Sequence, residues 1–170
     1  MPLTRTAREV NDGMPAFTVD RLETELAASG LDIEDAVVLV LGLTYRPGVA
    51  ETRASPGVDV AAEARRRGAS VLVADPLVGP AEVGLDVPAV EVESIPDRSF
   101  DATVCVTPHE EFESIPWRHM ESMLVLDGRG TLSVDGDHHR VVTLGGSPTG
   151  PAVNDGPRSR TGARNPPSGN

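Results

Sequence analysis

The chain has 170 residues, 39% of them hydrophobic, which is enough for one domain with a serviceable core. Its net charge is -11, with fifteen arginines and no lysine, so nucleic acid is a poor partner because phosphate binding wants positive potential. No apolar run approaches a bilayer-spanning helix, no secretory signal opens the chain, and a single cysteine gives no internal disulfide framework, so the expected location is a reducing cytoplasm and not a membrane.

In chain order, a short N-terminal stretch over residues 1–16 leads into an amphipathic helix expected over residues 17–29, where Val19, Leu22 and Leu26 recur at helical spacing. Residues 37–43 are Val- and Leu-rich, the pattern of a parallel strand covered on both faces. A polar loop follows. It ends at Ser55-Pro56, read as an N-cap and a first helical position, with Gly68 stopping a helix over residues 56–67. Further strands are expected at residues 70–74, 89–92, 102–106 and 123–126. Strands alternating with helical stretches point to a Rossmann-like parallel sheet of about five strands with flanking helices, an α/β fold. Residues 132–145 read as two short strands around Asp135-Gly136, a C-terminal hairpin. Residues 146–170 hold five Gly and five Pro with almost nothing bulky, and are expected to be a disordered tail.

The loop between the first strand and its helix carries the functional signal. It takes about twelve residues where such connections usually take about 2 to 6. Tyr45 and Arg46 directly follow the strand, at the carboxyl edge where open α/β sheets bind ligands, and Arg46, Arg53 and the helix start together suit an anion. Arg129 follows the last of the central strands at the same edge. No G-x-G-x-x-G or Walker-type loop is present. Cys105 sits within a buried strand, where a thiol is an inert small hydrophobe. His138 and His139, with Asp135 and Asp137, occupy one turn without a convincing ligand set, so no metal is expected. His109, beside Glu110 and Glu111, reads as a solvated helix start with at most a minor role on the substrate side.

The segment GLTYRPGVAETRASPGVDVAAEARRRGASVLVADP resembles the start of the C-terminal domain of the UDP-glucose/GDP-mannose dehydrogenase family, whose pattern there is roughly GLxYKxxxxDxRxSP, a helix, G-A-x-V and D-P. ATVCVTPHEEFESIPW and VLDGRGTL fit the closing half of that domain, and REVNDGMPAFTVDRL resembles the family's central helix and the helix that opens the domain. The resemblance implies a division into residues 1–16 (end of the central helix), 17–145 (nucleotide-sugar domain) and 146–170 (tail).

Such enzymes oxidise the C6 hydroxyl of a nucleotide sugar to a carboxylate in two NAD-dependent steps, through a thiohemiacetal and a thioester on a catalytic cysteine of a preceding domain. The resemblance makes Arg46 and Arg129 substrate anchors and Arg53 a reach towards NAD held by the other domain. Tyr45 either borders the sugar nucleotide or packs the loop, and Arg46 is alternatively a surface partner of Glu51. Expected partners are a nucleotide sugar of UDP-glucose or UDP-N-acetylmannosamine type, an N-terminal NAD-binding domain or a full-length relative, and a second copy in a homodimer. The chain by itself is expected to be inactive. A stand-alone nucleotide-sugar-binding module and a non-catalytic split-gene remnant are the alternatives. The acidic, lysine-free composition is also what adaptation to a high-salt cytoplasm would produce, with an ordinary acidic protein as the plainer reading.

Overall fold

Val37–Leu41 (β1) is apolar at every position, and its side chains alternate between two cores. Val38 and Val40 enter one core while Leu39 and Leu41 enter the other, so both faces of the strand must be covered. The computed structural model describes residues 2–128 and 130–144, with side chains from residue 12 onward. Ser70–Ala74 (β2), Ala102–Cys105 (β3), Leu124–Asp127 (β4) and Arg140–Thr143 (β5) join β1 in one sheet of order β2-β1-β3-β4-β5, parallel at every pairing. The expected α/β parallel sheet of about five strands is therefore present.

The two faces are covered differently. Pro2–Ala28 (α1) and Pro56–Arg66 (α2) lie on one, where Val19, Leu22 and Leu26 meet Val60, Ala61 and Ala64 above the sheet. The other face is closed by irregular connections containing short 3₁₀ turns, Val92–Asp97, Glu110–Ser114 and Trp117–His119, which deliver Ile95, Phe100, Phe112 and Trp117 to the second core. Arg67, at the C-cap of α2, binds Asp20 at 2.6 Å, Glu23 at 2.9 Å and Glu63 at 2.9 Å, and so ties the two helices together.

Three sequence expectations change. The helix expected over residues 17–29 is the last half of α1, which begins at Pro2 and runs unbroken past Pro15. A proline there removes one intrahelical hydrogen bond, but the Val19-Leu22-Leu26 stripe anchors the helix C-terminal to it.

The strand expected over residues 89–92 reduces to one parallel bridge, Val73 to Ala89. Pro88 has no N–H to extend the ladder, and Val92 already starts a 3₁₀ turn. That bridge still covers the free edge of β2, through Val73 N–H to the Pro88 carbonyl at 3.1 Å and Val90 N–H to the Val73 carbonyl at 2.8 Å.

The expected C-terminal hairpin does not form. Arg140–Thr143 pairs with β4 in parallel, and Leu132 and Val134 pack against the second core without forming a strand. Asp135-Gly136 still turns the chain, with the Asp135 carbonyl accepting from the N–H groups of His138 at 3.2 Å and His139 at 3.0 Å. The long-range partner prevails because β4 offers an open ladder, Val142 becomes fully buried, and Arg140 reaches Glu25 of α1 at 2.7 Å. The proposed tail, residues 146–170, lies outside the described residues.

The turn that replaces the hairpin makes stability sensitive to acid. His139 is fully buried, its Nε2 donating to the Trp117 carbonyl at 2.6 Å and its Nδ1 accepting from Met123 N–H at 3.3 Å. Burial pushes its pKa below the ordinary histidine value, and neighbouring His138 pushes it the same way against the Trp117 carbonyl and Asp135. The unfolded chain therefore binds this proton more readily. Stability is complete above the ordinary value of 6.5 and falls as pH drops below it. Thermal melts from pH 7.5 to 5 are expected to show a declining midpoint, with a shallower slope in His139→Asn whatever that variant's absolute stability; an unchanged slope would contradict this assignment.

Candidate functional site

The strand order changes direction between β1 and β3, since β1 leads outward to β2 and β3 leads the other way to β4. In open parallel sheets this switch point, at the carboxyl ends of the strands, is where a crevice opens for a ligand. Here the inner part of the crevice is filled by the chain itself. Thr44 follows β1, Thr107 and His109 follow β3, Asp75 follows β2, and the side chains of all four are buried.

Asp75 organises the floor. Its Oδ2 accepts from Leu43 N–H at 2.7 Å, Thr44 N–H at 3.2 Å and His109 Nε2 at 3.0 Å, while Oδ1 accepts from Leu77 N–H at 2.8 Å and Val78 N–H at 3.1 Å. Burial by itself would raise this carboxyl's pKa, but the hydrogen bonds from His109, Leu43 and Leu77 outweigh it and hold the group below the ordinary aspartate value. Gly48 N–H donates to His109 Nδ1 at 3.2 Å, which assigns the ring proton to Nε2, shared between Asp75 and Thr44 Oγ1 at 2.7 Å. The Thr44 hydroxyl donates to the Arg46 carbonyl at 3.1 Å, and the Thr107 hydroxyl donates to the Thr44 carbonyl at 2.6 Å.

On this floor stands the long loop. Tyr45 N–H reaches the Glu51 carbonyl at 2.6 Å, and Arg46 and Val49 face each other in an antiparallel bridge, so residues 45–51 fold back on themselves. Tyr45 is 47% exposed, and the Arg46 guanidinium is open to solvent in a 3.4 Å pair with Glu51. The surface pairing weighed from sequence is thus present, and it leaves the cation reachable because an exposed pair of this kind holds weakly. Arg53 is exposed further along the same loop. Ala54 then takes a left-handed conformation, φ 54°, to turn the chain into α2. Ser55 occupies the N-cap position, but its buried hydroxyl makes no capping bond. Arg129 lies outside the described residues; the chain leading to it passes Gly128, whose N–H bonds the Cys105 carbonyl at 3.2 Å at the end of β3.

His109 and Asp75 are the residues that sequence reasoning undervalued. His109 is 1% exposed and central, the opposite of a solvated helix start. The signal available was positional, since each of Thr44, Asp75 and His109 is a polar residue within a few positions of a buried strand's carboxyl end. His138 and His139 both donate to carbonyls, of Met120 at 2.6 Å and Trp117 at 2.6 Å, which explains the pair without a metal.

Residues 39–135 match the UDP-glucose/GDP-mannose dehydrogenase family, UDP binding domain. The chain belongs to this family. It is 32% identical over 134 residues to the UDP-N-acetyl-D-mannosamine dehydrogenase of Pyrococcus horikoshii, covering 76% of this chain and 30% of that protein. The solved structure of UDP-D-ManNAc dehydrogenase from Pyrococcus horikoshii superposes with a TM-score of 0.71 at 28% identity, over 85% of this chain and 34% of that one. A UDP-glucose dehydrogenase from Pyrobaculum islandicum matches with a TM-score of 0.65 at 31% identity, over 76% and 29%. The chain thus spans about a third of the length of these relatives, in their UDP-binding part.

The strand ends of this sheet do not fit NAD in the way a dinucleotide fold holds it. A dinucleotide fold uses a short glycine turn after its first strand and a free acidic residue after its second to hold the ribose. In this chain the turn is a twelve-residue loop, and the acidic residue, Asp75, has both oxygens engaged by five internal donors. Among the described residues no helix is long and apolar enough to cross a membrane.

Proposed function

We propose that this chain is the nucleotide-sugar-binding part of an NAD-dependent dehydrogenase that oxidises the C6 hydroxyl of a UDP-sugar, of UDP-glucose or UDP-N-acetylmannosamine type, to the carboxylate. The observation that carries this reading is a rigidly floored loop at the switch point that presents Tyr45 and the Arg46 guanidinium to solvent, in a chain of this family. Arg46 supplies an anion anchor for the diphosphate, and as a planar guanidinium it suits phosphate oxygens better than a sugar hydroxyl. Arg129 is the second anchor, and Arg53 reaches towards the cofactor.

NAD belongs to a separate N-terminal domain. Residues 1–16 are the end of the helix that connects to it, and residues 17–145 form the nucleotide-sugar domain. The intact enzyme is a cytoplasmic homodimer, and this chain alone carries out no turnover.

Calorimetric titration of the chain with UDP and UDP-sugars is expected to show saturable binding. Arg46→Ala should weaken that binding about tenfold or more, the usual loss for a charge-assisted phosphate contact, with an unchanged melting temperature. No binding by the wild-type chain would defeat the reading, and NADH formation by the chain alone would defeat its claim of inactivity.

A further inference from the structure

We propose that His109 is a positioning residue for the nucleotide-sugar loop, setting Tyr45 and Arg46 in place through the backbone of Gly48. This rests on the binding role proposed above for that loop. His109 is 1% exposed, so it acts through its neighbours.

The loop's own contacts shape it without attaching it. Tyr45 N–H to the Glu51 carbonyl, Val49 N–H to the Arg46 carbonyl and Glu51 N–H to the Val49 carbonyl all begin and end within residues 45–51. Its base is fixed separately, by Asp75 on the N–H groups of Leu43 and Thr44 and by Thr107 on the Thr44 carbonyl. Thr44 also holds the Arg46 carbonyl. Beyond those attachments at Thr44, the single hydrogen bond among the described residues that joins residues 45–51 to the rest of the fold runs from Gly48 N–H to His109 Nδ1 at 3.2 Å.

The imidazole suits this task for a chemical reason. One nitrogen must accept from the loop while the other donates to the floor, and a neutral ring does both in one plane. Its Nε2–H is held by Asp75 and Thr44, and Phe112 meets the ring edge-on at a centroid distance of 5.5 Å, so the ring's orientation is set from β2, β1 and the segment after β3 together. A ligand drawing on Tyr45 and Arg46 therefore meets a loop already placed, which lowers the ordering cost of binding.

Two variants separate the ring's two jobs. His109→Gln places an amide donor near the Nε2 position and removes the acceptor for Gly48, whereas His109→Asn places an amide oxygen near Nδ1 and removes the donor. Amide hydrogen exchange of the full chain, read residue by residue by NMR and paired with UDP titration, measures both effects. In the Gln variant the Gly48 amide is expected to exchange about tenfold faster while β1 and β3 amides keep their protection, and UDP affinity falls about tenfold. In the Asn variant both return to within about threefold of wild type.

Unchanged Gly48 protection in the Gln variant overturns the proposal, and so does a parallel loss of strand protection and affinity in both variants. A wild-type chain that fails to bind UDP defeats the binding reading, while Gly48 exchange still decides whether His109 holds the loop. Should neither variant fold, the wild-type ring decides: nitrogen chemical shifts showing the proton on Nδ1 in place of Nε2 would overturn the assignment, and the proton on Nε2 supports it.

Discussion

Gly57→Ala is expected to cost about 3 kcal/mol or more and to leave little folded protein at moderate denaturant, because the position has no room for a single carbon. A Cβ there would lie 1.9 Å from the Gly42 carbonyl oxygen and 3.0 Å from its carbon, both backbone atoms that cannot rotate away. Relief requires lifting the first turn of α2 off the end of β1, which would unseat Val60, Ala61 and Ala64 from the core. Gly42 cannot yield in turn. It sits at φ 95°, and a Cβ on it would meet the Thr107 backbone and Cβ at 2.5 to 2.7 Å.

The close approach has a functional consequence. Gly57 sets the height at which α2 meets the sheet, and the loop carrying Tyr45, Arg46 and Arg53 is strung between those two elements. Urea denaturation of wild type, Gly57→Ala and Gly79→Ala is the measurement. Gly79 is half-buried, at φ -93°, with ordinary space for a Cβ, so its variant should stay within about 0.5 kcal/mol of wild type. A Gly57→Ala protein as stable as Gly79→Ala would mean that the helix start can move freely.

Asp75→Ala should be nearly as damaging, at about 3 kcal/mol, since it removes the acceptor of four backbone N–H groups, three of them part-buried, and leaves the His109 Nε2–H with Thr44 Oγ1 alone. Asp75→Asn retains the volume but substitutes an amide for one acceptor oxygen, so it should fall between Ala and wild type. The two also differ from wild type in acid. Because the native carboxyl is held below the ordinary aspartate value of 3.8, the unfolded state binds its proton first as pH falls. The carboxylate's stabilisation is therefore complete above that value and lost below it. Neither variant should show that part of the acid limb. An Asp75→Asn curve parallel to wild type down to pH 3 would contradict the assignment, and loss of UDP affinity in both variants is expected because Leu43 and Thr44 carry the base of the loop.

The physical contrast with a dinucleotide fold clarifies what kind of binding surface this is. The acidic residue that would face a ribose is turned inward, and the crevice at the switch point is plugged by Thr44, Thr107 and His109. Ligand recognition is thereby displaced from the sheet edge outward onto a supported loop. A loop can carry long cationic and aromatic side chains to a partner across a cleft, which a short glycine turn buried in the edge cannot do.

Much of this was readable along the chain. Runs of Val and Leu with no polar alternation require burial on both faces, so β1, β2, β3 and β4 and the parallel sheet followed from local composition, within a residue or two at their ends. Gly68 after a helical stretch and Ser55-Pro56 before it bounded α2 for equally local reasons. The position of Tyr45, Arg46 and Arg53 in an overlong loop at the carboxyl edge was also a matter of sequence order, and it made the family legible in the same stretch.

What only the tertiary structure decided depends on partners far away in the chain. Arg140–Thr143 had a turn before it and so read as half of a hairpin, but the open ladder of β4 and the Glu25 carboxylate, 115 residues away, made it a parallel strand. Residues 89–92 had strand-like composition and kept only the Val73–Ala89 bridge, because Pro88 offers no N–H and Val92 already turns into a 3₁₀ segment. His109 looked solvated among glutamates, and became the buried link between three segments because the strand order brings the ends of β1, β2 and β3 side by side. Hydrophobic pattern is a property of neighbours along the chain and can be read there. Which polar groups meet is set by strand order and register, and those exist only once the sheet has formed.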